Sequence, residues 1–344
     1  MARKAVVLFN LGGPDALEAV EPFLFNLFND PAIIRLPGFF RTLLAKFISR
    51  RRAPVAQEIY GRIGGSSPLL PQTKAQAKAL REFLRSAATE DEYEIFISMR
   101  YWHPFADETV TNVKAFDPDE IILLPLYPQF SSTTTASSFE SWDKAAAKQG
   151  LKAPAASFCC YPDENGLAKA YAELLKPHIA ALRGKKTRIL FSAHGLPQKI
   201  VDAGDPYQWQ IEKTADAIVA TLEEPPEDWK VCYQSRVGPM KWLQPSTEDE
   251  IRSAGAEGLN LIILPIAFVS EHSETLVELD IEYAALASDA GVPDYRRVPT
   301  VGVNPAFIEG LGKLVLNARS GQVMSAEGGR ICPAGFSDCA KQAS

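Results

Sequence analysis

Short runs of apolar residues alternate along this chain with longer stretches in which apolar positions recur every three or four residues. The runs fall at Ala5 to Asn10, Glu94 to Met99, Glu120 to Leu126, Thr187 to Ala193, Trp229 to Ser235 and Leu259 to Phe268. Apolar runs of about four to eight residues bounded by turn residues read as strands buried on both faces. Between them Gln72 to Ser86, Gly166 to Leu182, Trp209 to Leu222 and Thr275 to Ala287 carry the helical period. Strand alternating with helix predicts an α/β protein with parallel sheets and crossover helices.

The pattern occurs twice. V-V-L-F-N-L-G-G-P near the start resembles I-L-F-S-A-H-G-L-P, and I-I-L-L-P-L-Y-P-Q-F-S resembles I-I-L-P-I-A-F-V-S, with arginine-ended strands at Arg100 and Arg236 between the members of each pair. The offset is on the order of 140 residues, far beyond solenoid periods, which indicates a duplicated domain. Two similar α/β domains facing a shared cleft are expected. The first spans 1–162, the second 163–310, and an extension over 311–344 packs back on the first domain. Pro162, Asp163 and Asn165 supply turn chemistry at the crossing.

Residues 23–52 depart from this scheme. Phe39, Phe40, Leu43, Leu44, Phe47 and Ile48 repeat at helical spacing, while Arg41, Lys46, Arg50, Arg51 and Arg52 crowd beside them. Such an amphipathic helix is either a core helix capped by exposed arginines or an apolar lip that touches a bilayer or grips a flat greasy ligand.

With 344 residues, of which 46% are hydrophobic, the chain has enough material to fill two such cores. A net charge of -6 argues against general nucleic-acid binding, which leaves a basic footprint. The basic and apolar start imitates a secretory signal but breaks at Gly12-Gly13-Pro14, and no segment approaches the roughly 18 uninterrupted apolar residues of a membrane span. A cytoplasmic location is expected, with at most a peripheral contact on the inner face of the membrane; the oligomeric state, monomer or homodimer, stays open. Five cysteines, unevenly placed, do not form a secreted disulfide framework. Cys232 reads as a core residue, leaving Cys159, Cys160, Cys332 and Cys339 as a set of interest.

Candidate chemistry gathers where strands end. His194 sits on the turn after the Thr187 to Ala193 strand, with Gly195 following, and a base there can reach a ligand. After the Leu259 to Phe268 strand, Glu274, Glu278 and Glu282 stand four residues apart, beside Glu271 and His272. Like charges so spaced on one helix face repel by a few tenths of a kcal/mol per pair, so the stripe costs stability unless a metal ion or departing protons use it. His and carboxylate ligands suit a divalent metal of the iron or zinc type, which makes His194 and Glu274 the candidate metal pair. A solvated helix face is the bland alternative.

Several motifs together resemble the ferrochelatase family over nearly the whole chain. They are Phe9 to Pro14, Arg50 to Pro54, Tyr60 to Pro68, Arg100 to Pro104, Ser192 to Pro197, Tyr233 to Met240 with Trp242, and Pro265 to Tyr283. The resemblance implies two Rossmann-like domains enclosing a porphyrin cleft, and insertion of Fe(II) into protoporphyrin IX as the last step of heme formation. It implies catalytic roles for His194 and Glu274, a proton or metal path through His272, Glu271, Glu278 and Glu282, and substrate contacts from Arg100, Tyr101, Trp242 and Ser192. Coproporphyrin III is the competing substrate.

The tail Ile331 to Cys339 resembles the cysteine-bearing extension with which some members hold a [2Fe-2S] cluster. Such a cluster needs four ligands, and the candidates are Cys159, Cys160, Cys332 and Cys339. The position just beyond Cys339 that would supply another cysteine is Lys341, and Ser132 stands where animal members have their internal one. Thiols without a cluster, or a disulfide joining the tail, are the alternatives. Two other function classes compete with the chelatase reading: a porphyrin carrier without chemistry, and a metal-dependent hydrolase, which lacks a compact H-E-x-x-H motif.

Overall fold

The computed structural model describes residues 1–340 apart from Val237 and Pro239. Those two members of the Tyr233 to Met240 motif, and Lys341, therefore lie outside the described residues. The strands are β1 (Arg3–Asn10), β2 (Glu92–Met99), β3 (Glu120–Pro125), β4 (Ala155–Cys160), β5 (Thr187–His194), β6 (Trp229–Gln234), β7 (Asn260–Pro265), β8 (Tyr295–Arg297) and β9 (Val323–Ser325).

They form a five-stranded sheet of order β2-β1-β3-β4-β9 and a four-stranded sheet of order β6-β5-β7-β8. The first four strands of each half share one order, offset by four, as the duplication predicts. β1 pairs parallel with β2 and β3, and β5 pairs parallel with β6 and β7. Every residue of β7 is buried, because helices cover both sheet faces and no side of the strand meets water.

Each sheet builds its own core. In the first half Val7, Phe9, Val110, Ile121, Leu123 and Trp142 pack together; in the second, Leu190, Ile251, Leu261, Ile263, Leu279 and Tyr283 do so. Truncating any of the fully buried aliphatics to Ala costs about 2–5 kcal/mol.

The chain divides into two compact units. One holds Met1–Tyr127, Ser131–Cys159 and Val315–Met324; the other holds Pro128–Phe130, Cys160–Leu314 and the described residues from Ser325 to Ala340. The first boundary therefore falls at Cys159–Cys160. The extension expected over 311–344 is split: only Val315–Met324 joins the first unit, because β9 adds to the five-stranded sheet at the β4 edge. Beyond it the tail belongs to the second unit, where Ser337 Oγ donates to Ala203 O at 3.1 Å and the Asp338 amide to Gly204 O at 3.2 Å.

The 23–52 segment is two helices, Val20–Phe28 and Gly38–Gly61, joined by a turn. The core-helix alternative fails at the start of the second: Phe39 is 71% exposed, Phe40 and Phe47 62%, and Leu43 54%. Only Ala45, Ser49, Ala53 and Tyr60 of that helix are buried, so its small residues face the protein and its large apolar ones face outward. No helix among the described residues is long and apolar enough to cross a membrane.

Candidate active site

The helix expected over Thr275 to Ala287 begins as a π-helix, Glu274–Glu282, and becomes α-helical only at Tyr283–Asp289. Sequence periodicity does not register the difference, since residues four apart share a face in either geometry. The five-residue hydrogen-bond period is seen where the Tyr283 amide bonds Glu278 O. It also sets the two side chains above each other, and Tyr283 Oη donates to Glu278 Oε1 at 2.9 Å.

His194 closes β5 and Glu274 opens the π-helix that follows β7, the neighbouring strand. Parallel strands end side by side, so two side chains 80 residues apart meet: Nδ1 of His194 lies 2.8 Å from Oε2 of Glu274. Gly195 makes this turn possible, since a Cβ there would stand 2.8 Å from Gln234 O and 3.4 Å from the Trp242 ring. Trp242 thereby lies beside the histidine turn, held by a bridge to Pro197.

Burial disfavours the imidazolium of His194, but the Glu274 carboxylate, bonded to it, and Glu278 behind it outweigh burial and raise its pKa. Burial likewise opposes ionisation of Glu274, yet His194 and then His272 hold its carboxyl well below the usual range. Both side chains still reach the surface, at 37% and 29% exposure.

Glu278 is saturated. Oε1 accepts from the Ser235 amide at 2.8 Å and from Tyr283; Oε2 accepts from Gln234 Nε2 at 3.0 Å and Ser235 Oγ at 2.5 Å. Burial and the Glu274 charge nevertheless push its pKa up against these bonds. Ser235 makes two of them from a left-handed backbone, φ 66°, a conformation that costs a non-glycine residue roughly 1–3 kcal/mol. Glu282, one step further on, is exposed. The acidic stripe thus runs from a partly buried pair to solvent.

The remaining sequence candidates divide. His272 is buried, stacks on Phe268 with centroids 4.3 Å apart, and places Nε2 3.7 Å from Glu274 Oε2. Glu271 is engaged by Arg297, which holds its Oε1 at 2.6 Å while clamping Asp280 of the π-helix through Nε and Nη2. Ser192 is fully buried and donates to Gln234 Oε1 at 2.8 Å, which orients the amide that serves Glu278. In the other unit Arg100 and Tyr101 follow β2; Tyr101 is 1% exposed and its hydroxyl donates to Asp30 Oδ2 at 2.7 Å. Sequence reading passed over Asp30, Arg297 and the Gln234-Ser235 pair as individual residues, although Gln234 and Ser235 lie inside a motif it singled out.

All five cysteines are buried thiols. Cys332 is bonded by the Cys160 and Cys339 thiols and by Gln210 Nε2 at 3.1 Å. The Cys160 contact foremost, then Cys339, brings its pKa down to about 3 against the opposing effect of burial. Cys159 and Cys160 are neighbours at the end of β4, where successive side chains alternate between the two faces. The three thiols meet through Cys332 in the middle; among the described residues no three His, Cys, Asp or Glu side chains close on one metal ion.

Among solved structures the chain is similar in fold to SirB from Bacillus subtilis with Fe3+, at TM-score 0.53 and 13% identity, covering 92% of this chain and 95% of that one. It is similar also to CbiX, the terminal enzyme for biosynthesis of siroheme in denitrifying bacteria, at TM-score 0.50 and 15% identity, covering 92% and 100%. In sequence it is 55% identical over 337 residues to the ferrochelatase of Phenylobacterium zucineum, covering 98% of this chain and 97% of that one. It is 53% identical to the ferrochelatase of Caulobacter vibrioides, covering 97% and 96%, and 52% identical to that of Rickettsia bellii, covering 98% and 94%. The ferrochelatase family model matches residues 3–319, and with relatives more than half identical along almost their whole length, this chain belongs to the ferrochelatase family.

Proposed function

We propose that the chain inserts Fe(II) into protoporphyrin IX to form heme, with His194 accepting the pyrrole protons and Glu274 as its partner. The observation that carries this reading is the 2.8 Å contact between His194 Nδ1 and Glu274 Oε2 at the ends of adjacent elements. A free-base porphyrin must lose two N–H protons as the metal enters, and its flat ring offers the metal no accessible lone pairs. A carboxylate can only accept, so Nδ1–H is donated to Glu274 and Nε2 of the neutral ring carries the lone pair that takes a proton. The imidazolium so formed is stabilised by the carboxylate beside it. The same imidazole and carboxylate are suitable donors for Fe(II).

Protons leave His194 through Glu274 and Glu278 to the exposed Glu282, with His272 alongside. Trp242 lines the ring-binding surface near His194, and Arg100 holds an acidic substituent of the porphyrin. Tyr101 and Ser192, both buried, support these groups from beneath. The exposed face of the Gly38–Gly61 helix is the lip: Phe39, Phe40, Leu43 and Phe47 enter the apolar layer of a bilayer while Lys46, Arg50 and Arg51 meet anionic headgroups.

Cys160, Cys332 and Cys339 would hold a [2Fe-2S] cluster with a fourth ligand that is not one of these thiols, and Cys159 would take no part. What supports this is three buried thiols brought together on Cys332, whose depressed pKa favours the thiolate that iron requires. Such a cluster would supply redox and structural chemistry to the tail, and no step of the chelation is assigned to it.

Anaerobic incubation with Fe(II) and either protoporphyrin IX or coproporphyrin III tests the reading. Conversion of the free-base spectrum to that of a metalloporphyrin is expected with protoporphyrin IX. Tight binding of both porphyrins without conversion would make the chain a carrier.

A further inference from the structure

The Arg100 guanidinium is fixed along two of its edges. Nε donates to Ser137 Oγ at 2.7 Å and Nη2 to Asp30 Oδ2 at 2.7 Å, while Ser137 Oγ itself donates to the same Asp30 oxygen at 2.6 Å. The Tyr101 hydroxyl makes a third bond to that oxygen at 2.7 Å, and the guanidinium carbon stands 5.0 Å from the Tyr101 ring centroid. Asp30 is 3% exposed, and its other oxygen accepts from the Ala32 amide at 2.8 Å. Nη1 has no hydrogen-bond partner among the described residues, and the Arg100 side chain keeps 21% exposure.

We infer that Asp30 is a positioning residue for Arg100, locking the guanidinium so that Nη1 is presented to a carboxylate of the porphyrin. The inference rests on the porphyrin-binding role of Arg100 proposed above. A planar guanidinium recognises a carboxylate through directed N–H bonds, and an arginine already fixed loses little rotamer freedom when the ligand arrives. Because Asp30 neutralises Arg100, the site recognises the carboxylate by geometry and not by a surplus of positive charge.

Asp30 also ties this lock to the lip. Its carbonyl accepts from the Ile33 and Ile34 amides at 3.1 and 2.9 Å, which shapes the turn between the two lip helices. Its neighbour Asn29 receives Arg41 Nε on its carbonyl and Thr42 Oγ1 on its side chain, both from the start of the exposed helix. Asn26, one turn earlier, donates to Tyr101 O at 3.1 Å. The turn that joins the two lip helices and the arginine that would meet the acid of the ligand are thus both bonded by Asp30, the turn through its carbonyl and the arginine through its buried carboxylate.

The test is steady-state chelation by the full-length chain with a dicarboxylic porphyrin and with its dimethyl ester, using D30N, R100A and D30N/R100A. D30N is expected to raise KM for the diacid about tenfold with kcat within about twofold, to leave KM for the ester unchanged, and to add less than about twofold in the R100A background. If R100A raises KM for the diacid but D30N does not, or if the two effects multiply, the proposal is overturned while the Arg100 role stands. If R100A leaves KM unchanged, the Arg100 role itself is wrong and the proposal falls with it. Should D30N fail to fold, S137A removes one arm of the lock without stranding a buried charge. It is expected to raise KM for the diacid alone about threefold, and an unchanged KM there would overturn the proposal.

Discussion

His194 and Glu274 form a contact of 2.8 Å between Nδ1 and Oε2, joining the end of β5 to the first residue of the π-helix after β7. Its consequence is a pair whose two members shift in opposite directions, His194 upward and Glu274 well downward.

The pH dependence follows from these signs. As the proposed base, His194 can take a proton only when neutral, so the acid limb of kcat/KM should lie above the ordinary histidine value of about 6.5. E274Q removes the charge that raises it, and the limb should move to lower pH together with a loss of about 10²-fold or more in kcat. H194A should abolish turnover while porphyrin binding stays measurable. For stability, the raised histidine contributes fully below its unfolded pKa and loses that contribution as pH rises through its folded value. The lowered glutamate contributes above its unfolded pKa and loses as pH falls through its folded value. The pair therefore stabilises most between the two unfolded pKa values, and thermal unfolding of E274Q against the parent should differ most in that window. A rate profile that E274Q leaves in place would remove the histidine from the base role.

Arg297 holds the π-helix to the strand beside it. It is 13% exposed and engages both Asp280 and Glu271, which in turn accepts from the Thr300 amide at 3.0 Å. Removing it leaves two carboxylates without their cation in a region largely shut from water. R297A should destabilise the protein by about 3 kcal/mol, read as a lower denaturant midpoint at unchanged slope. Loss below about 0.5 kcal/mol would mean that the carboxylates find solvent without it.

The lip separates binding from stability. Phe39, Phe40 and Phe47 are so exposed that replacing all three by Ser should leave the unfolding midpoint within a few degrees, since little buried apolar area is lost. Co-sedimentation with anionic phospholipid vesicles should fall several-fold in this variant, and in the parent it should weaken as salt rises because Lys46, Arg50 and Arg51 act through screened attraction. Retention of vesicle binding by the triple variant would place any membrane contact elsewhere.

The thiols give a prediction that does not depend on turnover. Protein purified without oxygen should carry iron, inorganic sulfide and visible iron–sulfur absorbance. C332S should lose all three and C159S should keep them, because Cys332 is the sulfur that Cys160 and Cys339 both meet. Equal absorbance in C332S and the parent would remove the tail from cluster binding.

Much of this molecule was legible in one dimension. The apolar runs gave β1, β3, β5 and β7 because strands inside a sheet covered on both faces have few polar positions to interrupt them, and β2 and β6 were found although they are edge strands with polar positions. The duplication was visible as repeated strand-and-turn text, and the shared strand order bears it out. His194 and Glu274 were nominated from a turn glycine and two strand ends, and the structure brings the two side chains together. β4, β8 and β9 carry weaker patterns: β8 and β9 have three residues each, too few to show a period.

Other features exist only in three dimensions. The π-helix has no signature in the apolar spacing, and one of the side chains that hold it, Arg297 to Asp280, reaches it from β8, 17 residues further along the chain. Asp30 shows no signal in its own neighbourhood, since its partners Arg100, Tyr101 and Ser137 lie 70, 71 and 107 residues away. Whether the lip residues turn inward or outward was open in the sequence, because a helix with apolar and small residues on opposite faces can bury either. Packing of Ala45, Ser49 and Ala53 against the protein decided it. The sequence by itself marked most of the strands and nominated the candidate residues for chemistry; the tertiary structure alone decided which of those residues meet, because hydrogen bonds between distant side chains depend on the strand order that brings their backbones together.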